Sequence, residues 1–216
     1  MKFCVIGLGR FGNQLAITLA EKGMEVLAID RDESIIATIR DKVTQAVCMN
    51  VENEASLQAV GIEDMDTVIV AMGEDFSQSI LITALLKKHL NVPKVIARAV
   101  NKIHENILML VGADRVVFPE RDLGIRLANT LSFALVEFVQ VSEKFAIAEI
   151  QPPKSFIGKT IAELQLRKTW QVTCIGIKKD AEEINLISPE YVIVEGDKLL
   201  LAGTNESLAD MAEQAE

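Results

Sequence analysis

The sequence predicts an α/β chain: a doubly wound parallel sheet flanked by helices, then one long helix, then a small α+β lobe. Three observations lead there. Short β-branched runs alternate with amphipathic segments over residues 1–118, the pattern of a parallel sheet with crossover helices. A GxGxxG turn follows the first of those runs directly. From Ser142 onward the pattern changes to short strands separated by Pro and Gly turns.

In chain order, strands are predicted at Lys2–Ile6, Glu25–Asp30, Ala46–Met49, Thr67–Met72, Lys94–Arg98 and Arg115–Phe118. Helices are predicted between them at Phe11–Lys22, Asp32–Asp41, Glu54–Val60, Phe76–His89 and Lys102–Leu110. The first helix repeats apolar residues at Leu15, Ile17, Leu19 and Ala20, and Gly23 ends it where a left-handed residue is wanted. Six strands with five crossovers make a complete doubly wound unit. Pro119 stops the last strand. Leu123, Leu127, Leu131, Leu135 and Phe138 then recur at helical spacing, so Asp122–Val139 reads as one long helix, packed on its own domain or on a neighbouring subunit. In the last lobe, Ala146–Ile150, Val172–Ile177, Ile184–Ile187 and Lys198–Ala202 read as strands. Lys159–Leu166, opened by Gly158, and Glu206–Ala212 read as short helices.

Half of the 216 residues are apolar, yet no run approaches the ~18 needed to cross a bilayer. The apolar excess is therefore expected in a core or in subunit contacts. The N-terminus reads as a strand and carries no export signal. Cys4, Cys48 and Cys174 form no CxxC pair and lie in strand-like runs, as buried reduced thiols do. Thirty-one acids against twenty-two bases leave a net charge of −9, which repels nucleic acid.

The turn Gly7-Leu8-Gly9-Arg10-Phe11-Gly12 carries the chemistry. Between a strand and a helix, with Asp30 ending the second strand roughly twenty residues on, it is the dinucleotide-binding fingerprint of a Rossmann domain. Gly7 permits the tight turn, Gly9 lets backbone approach phosphate, and Gly12 lets helix and strand close up. The helix N-terminus meets the phosphate charge, and Asp30 can accept from both ribose hydroxyls. That carboxylate disfavours a 2′-phosphate, although Arg31 beside it can soften the repulsion. Arg10 can reach terminal phosphates through charge-assisted bonds, which leaves ATP and NAD both open. Asn50 and Val51 after the third strand can border the base, and Ala71 and Gly73 after the fourth can face phosphate or ribose.

Catalytic groups do not assemble into a recognisable set. His89 and His104 fall at helix ends, where surface or capping roles are expected. There is no Ser-His-Asp set, no metal-ligand spacing and no carboxylate pair in a plausible cleft. The expectation is a regulatory subunit and not an enzyme. An NAD-dependent oxidoreductase, or an NAD(H)-sensing gate of another ion transporter or channel, are the alternatives.

Phe3–Gly12, Glu25–Asp30 and above all Gly112-Ala113-Asp114-Arg115-Val116-Val117-Phe118-Pro119-Glu120-Arg121-Asp122-Leu123-Gly124 resemble the regulator-of-potassium-conductance (RCK) family. The similarity is greatest to its bacterial Ktr/Trk-type potassium-uptake regulatory subunits, and it runs along essentially the whole chain. The resemblance implies residues 1–118 as the nucleotide-binding domain, 119–141 as a crossover helix exchanged between neighbours, and 142–216 as the C-terminal domain. It implies a cytoplasmic homodimer assembling into an octameric ring, docked on the inner face of the membrane against a potassium-translocating subunit. ATP, ADP or NAD(H) would bind at Gly7, Gly9, Arg10, Gly12 and Asp30, and Phe11, inside the same turn, is a further candidate cofactor-binding residue. Glu120 would lie near the terminal phosphate and help to hold a divalent cation. Arg167 occupies the position of a phosphate-contacting arginine in relatives whose C-terminal lobe binds cyclic di-AMP.

Overall fold

The computed structural model describes residues 1–73, 75–132, 137–142, 144–179 and 184–213. Two compact units divide the chain, Met1–Pro119 and Glu120–Glu216.

In the first unit the elements run β1 (Lys2–Ile6), α1 (Arg10–Glu21), β2 (Glu25–Asp30), α2 (Glu33–Ile39), β3 (Gln45–Cys48), α3 (Glu54–Gln58), β4 (Thr67–Val70), α4 (Phe76–Lys88), β5 (Lys94–Arg98), α5 (Lys102–Val111) and β6 (Arg115–Val117). The sheet order is β3-β2-β1-β4-β5-β6 with every pair parallel. Strand order reverses between β1 and β4, which opens a crevice at their carboxyl ends. Because side chains alternate across a strand, the sheet feeds two cores. Val5, Val26, Ala28 and Ile69 face Ala16 of α1 and Ile36 and Ile39 of α2. Cys4, Ile6, Leu27, Ile29, Val68 and Val70 face Leu57, Ile82, Leu86 and Leu108 of α3, α4 and α5.

The second unit holds α6 (Pro119–Ser132, its first residue on the boundary), β7 (Glu137–Gln140), β8 (Phe145–Ile150), α7 (Ile161–Leu164), α8 (Leu166–Thr169), β9 (Thr173–Lys178), β10 (Ile184–Asn185), β11 (Lys198–Thr204) and α9 (Asn205–Glu213). Its sheet is ordered β10-β9-β11-β8-β7, with all pairs antiparallel. Ala148, Ile177, Leu199 and Leu201 pack against Leu208 and Met211 of α9. The turn into β11 is held by Asp197, buried, whose carboxylate accepts from Tyr191 Oη (3.0 Å) and Val194 N (2.9 Å).

The structure corrects three expectations. Residues 137–139, predicted as the end of a long helix, lie in strand β7, paired antiparallel with β8. Leu135 lies outside the described residues. The apolar spacing read there as helical runs through two elements of different period. The helix predicted over Lys159–Leu166 is two one-turn helices, because Gln165 adopts the left-handed conformation (φ 45°) between them. Cys48 is exposed and not buried, because it ends the edge strand; Cys4 is buried and Cys174 half-buried.

Candidate functional site

The glycine turn is shaped by contacts that a side chain would break. Gly7 sits at φ +91°, and a Cβ there would meet Met72 at 2.8–3.2 Å. A Cβ on Gly12 would run into the Gly7 carbonyl oxygen and lie 3.1 Å from Ala71 Cβ. Ala71 is buried, and its smallness lets α1 close against β4. Gly9 differs, because a Cβ there meets nothing within 4 Å. Open space thus lies above the Gly9 backbone, where a ligand can approach.

Gly9 is the N-cap of α1, and the first helical bond runs from Asn13 N to Gly9 O (2.9 Å). The amides of Arg10, Phe11 and Gly12 precede that ladder and are the helix's surplus donors. Arg10 is exposed, and Phe11 packs partly into the core beneath α1.

The turn and the end of β2 are tied together. Leu8 N donates to Asp30 Oδ2 at 2.6 Å, Gly7 N donates to Ile29 O at 2.8 Å, and Asp32 N donates to Asp30 Oδ1 at 3.0 Å. A carboxylate offers about four lone-pair sites, so Asp30 keeps capacity for hydroxyl donors. Arg31 is exposed beside it, and its carbonyl accepts from the Cys48 thiol at 3.5 Å. Hydrogen bonding to Glu33, then burial, then the surrounding acids Glu33, Asp30 and Asp32, push that thiol above its ordinary value.

The remaining carboxyl-edge residues sort into framework and lining. Val51 is buried in the core, and its carbonyl accepts from Gln78 Nε2 at 2.7 Å. The exposed Asn50 accepts from the same amide at 3.1 Å and donates to Glu52 at 2.8 Å. Gly73 is covered by Arg98, whose guanidinium carbon would lie 3.0 Å from a Cβ on the glycine. Sequence reasoning missed Gln78 and Arg98. The signal for Arg98 is its place as the last residue of β5, which becomes a site position only once β5 is known to lie beside β4.

The other candidates belong to other elements. Glu120 and Arg167 are exposed residues of the second unit, on α6 and α8. Among the described residues, no group of three or more His, Cys, Asp or Glu could hold a metal ion. His89 caps the C-terminus of α4 and lies 3.2 Å from Glu54 Oε2. His104, expected at a helix end, is at the start of α5 but fully buried. The Gly-Ala-Asp run is structural. Gly112 ends α5 at φ 110°, Ala113 is buried, and Asp114 accepts from Val95 N (2.6 Å) and Lys87 Nζ (3.0 Å).

Residues 3–119 match the TrkA-N domain and residues 145–215 the TrkA-C domain. Ktr system potassium uptake protein A of Bacillus subtilis is 34% identical over 208 residues, covering 96% of this chain and 93% of that protein. Its C counterpart from the same organism is 35% identical over 204 residues, covering 94% and 92%. The structure of the GsuK channel bound to NAD matches 99% of this chain at 28% identity and a TM-score of 0.55. GsuK bound to ADP matches 62% of it at 28% identity and 0.54. This chain covers 38% and 34% of those two channel chains. Both halves match in order and the two Ktr proteins align nearly end to end, so the chain belongs to the TrkA-N/TrkA-C family of regulator-of-potassium-conductance proteins.

Proposed function

We propose that this chain is a nucleotide-binding regulatory subunit that gates a membrane potassium-uptake system. ATP, ADP or NAD(H) seats at the β1/β4 crevice and shifts the shape of an oligomeric ring. One observation carries the reading: the Asp30 carboxylate is drawn to 2.6 Å from Leu8 N. That contact sets a ribose acceptor beside three surplus helix amides and the open space over Gly9. The names of the Ktr relatives support potassium uptake, and GsuK bound to NAD or to ADP supports the choice of ligand.

The protein's part is binding and orientation. The Arg10, Phe11 and Gly12 amides face a diphosphate, Asp30 holds the ribose, and Arg10 answers a terminal phosphate. Arg98 and Gly73 form the far wall, and Asn50 and Arg31 border the base side. A ligand moves the ring's equilibrium only by its difference in affinity between states. A hundredfold difference is about 2.7 kcal/mol per site. Exposed Leu123, Leu127 and Leu131 on α6 support exchange of that helix between subunits of a homodimer; the joining of dimers into an octamer rests on the family resemblance alone. No helix among the described residues is long and apolar enough to cross a membrane. The names of the Ktr relatives support attachment to the cytoplasmic face through a potassium-translocating partner. A divalent cation at Glu120 and cyclic di-AMP at Arg167 rest on the family resemblance alone.

A thermal-shift panel of ATP, ADP, NAD, NADH and NADPH on the purified chain tests this. A ligand at a hundred times its Kd adds about 2.7 kcal/mol. No shift with any of them sinks the reading. Turnover of a hydroxy acid with NAD, or of a ketone with NADH, replaces it with the oxidoreductase, and co-purification with a membrane protein other than a potassium transporter replaces the partner.

A further inference from the structure

We infer that His104 is the positioning residue that locks together the loops after β4 and β5, and with them the Gly73–Arg98 wall of the nucleotide cleft. The inference deepens the proposed function and rests on it.

The ring is fully buried between the first turns of α4 and α5. Its Nε2 lies 2.9 Å from Ser79 Oγ, its Nδ1 3.4 Å from Val100 N, and its centroid 4.2 Å from that of Phe76. The hydrogens can be assigned from the network. The Ser79 hydroxyl donates to Phe76 O at 3.0 Å, so its oxygen accepts from the ring. The Val100 amide can only donate, so Nδ1 must carry a lone pair. The donors then run one way: Val100 N–H to Nδ1, Nε2–H to Ser79 Oγ, Ser79 O–H to Phe76 C=O. The neutral Nε2–H imidazole is the one form that completes this chain.

What the chain joins gives it meaning. Val100 is two residues past Arg98, and Phe76 three past Gly73; Arg98 and Gly73 are in contact. The ring thus clamps both shoulders of that contact. Next to Ser79, Gln78 reaches Asn50 and Val51 across the crevice edge. The first turn of α4 therefore links three carboxyl-edge loops, and His104 is its buried anchor.

A proton on Nδ1 would set donor against donor at Val100. Among the described residues, the titratable groups flanking the ring's contacts have partners of their own. Asp75 at the head of α4 accepts from Gln78 N at 2.9 Å, Glu105 on α5 pairs with Lys102 at 2.8 Å, and Arg98 ends β5 against Gly73. Burial alone sets the direction of the His104 titration, downward. The clamp stays complete down through the free-imidazole range of ~6.5 and weakens only as pH falls through the lower folded value.

The test uses the full chain, ADP as probe, and amide hydrogen exchange without ligand. His104→Leu removes both ring hydrogen bonds at similar bulk. His104→Gln keeps a donor near the Nε2 position. Losing one buried hydrogen bond corresponds to about tenfold. The Leu variant should lose ADP affinity about tenfold and exchange faster at Val100 and in the first turn of α4. The Gln variant should stay within about threefold, and its ADP affinity should remain level on acidification below the free-imidazole range, where the wild type weakens. Unchanged exchange and affinity in the Leu variant overturn the inference. If that variant does not fold, Ser79→Ala takes its place: faster exchange with weaker ADP binding supports the clamp, and no change in either overturns it. Exchange is measured without nucleotide, so it tests His104 separately from the ligand. A wild type that binds no nucleotide, with the exchange result as expected, sinks the functional reading and leaves the clamp standing.

Discussion

Gly9→Ala separates what the turn needs for folding from what it needs for a ligand. At φ −60°, ψ −177° any residue is accommodated, and an added Cβ meets nothing within 4 Å. Two small effects oppose each other. Alanine is the poorer N-cap, by several tenths of a kcal/mol up to ~1. Its lower unfolded-chain entropy returns about 0.4–1 kcal/mol. The net should lie within about 0.5 kcal/mol, a melting shift of less than about 3 °C. Binding should respond very differently, because the methyl fills the space through which phosphate reaches the helix amides. Loss of one charge-assisted hydrogen bond, ~1.5–3 kcal/mol, weakens Kd roughly 10- to 150-fold. Titration calorimetry with ADP on both proteins, at one ionic strength, measures it. Gly12→Ala is the contrasting control. Its Cβ collides with the Gly7 carbonyl, so overpacking should cost ~1–3 kcal/mol of stability before any ligand is added. A Gly9→Ala protein that binds ADP within twofold of wild type would refute the argument that phosphate meets backbone there.

Arg10→Ala should erase discrimination between ATP and ADP while changing adenosine binding little, read by competition against a fluorescent nucleotide; unchanged discrimination removes Arg10 from the terminal phosphate. Asp30→Ala should weaken NADH by about tenfold or more and narrow the preference for NADH over NADPH, because a ribose acceptor and a repulsive charge go together; a preserved ratio would place the ribose elsewhere. Asp114→Asn should cost about 1 kcal/mol, discounted for the partial exposure of the pair, seen in chemical denaturation. Burial raises the Asp114 carboxyl, but the Val95 amide and Lys87 outweigh it and hold it below its ordinary value. Its stabilisation is therefore present above the unfolded pKa of ~3.9 and lost as pH falls through the lower folded one. The wild type should lose this increment on acidification and the Asn variant should not.

Much of the crevice was legible because its signals are local. The turn Gly7–Gly12 encodes its own backbone, and its neighbours in sequence are its neighbours in space. Asp30 was legible because the crossover returns β2 beside β1, a single parallel step. Errors arose where one pattern crossed a boundary. The apolar residues of α6 run on into β7 with spacing that happens to suit a helix, and only pairing with β8 sets the second stretch as strand. Cys48 read as buried because its neighbours are apolar, but edge position decided its exposure.

The sequence by itself determined the turn, the strand-end carboxylate, the helix stop at Gly23, and the alternation of strands and helices over residues 1–118. Each follows from backbone conformation or periodicity within a dozen residues. Tertiary structure alone decided that Arg98 covers Gly73, that Gln78 reaches Asn50 and Val51, and that His104 is sealed between two helix starts. Those contacts join segments separated by whole crossovers. They exist because β4 lies between β1 and β5, and strand order is set by the summed burial of all six strands, a quantity no local stretch of sequence contains.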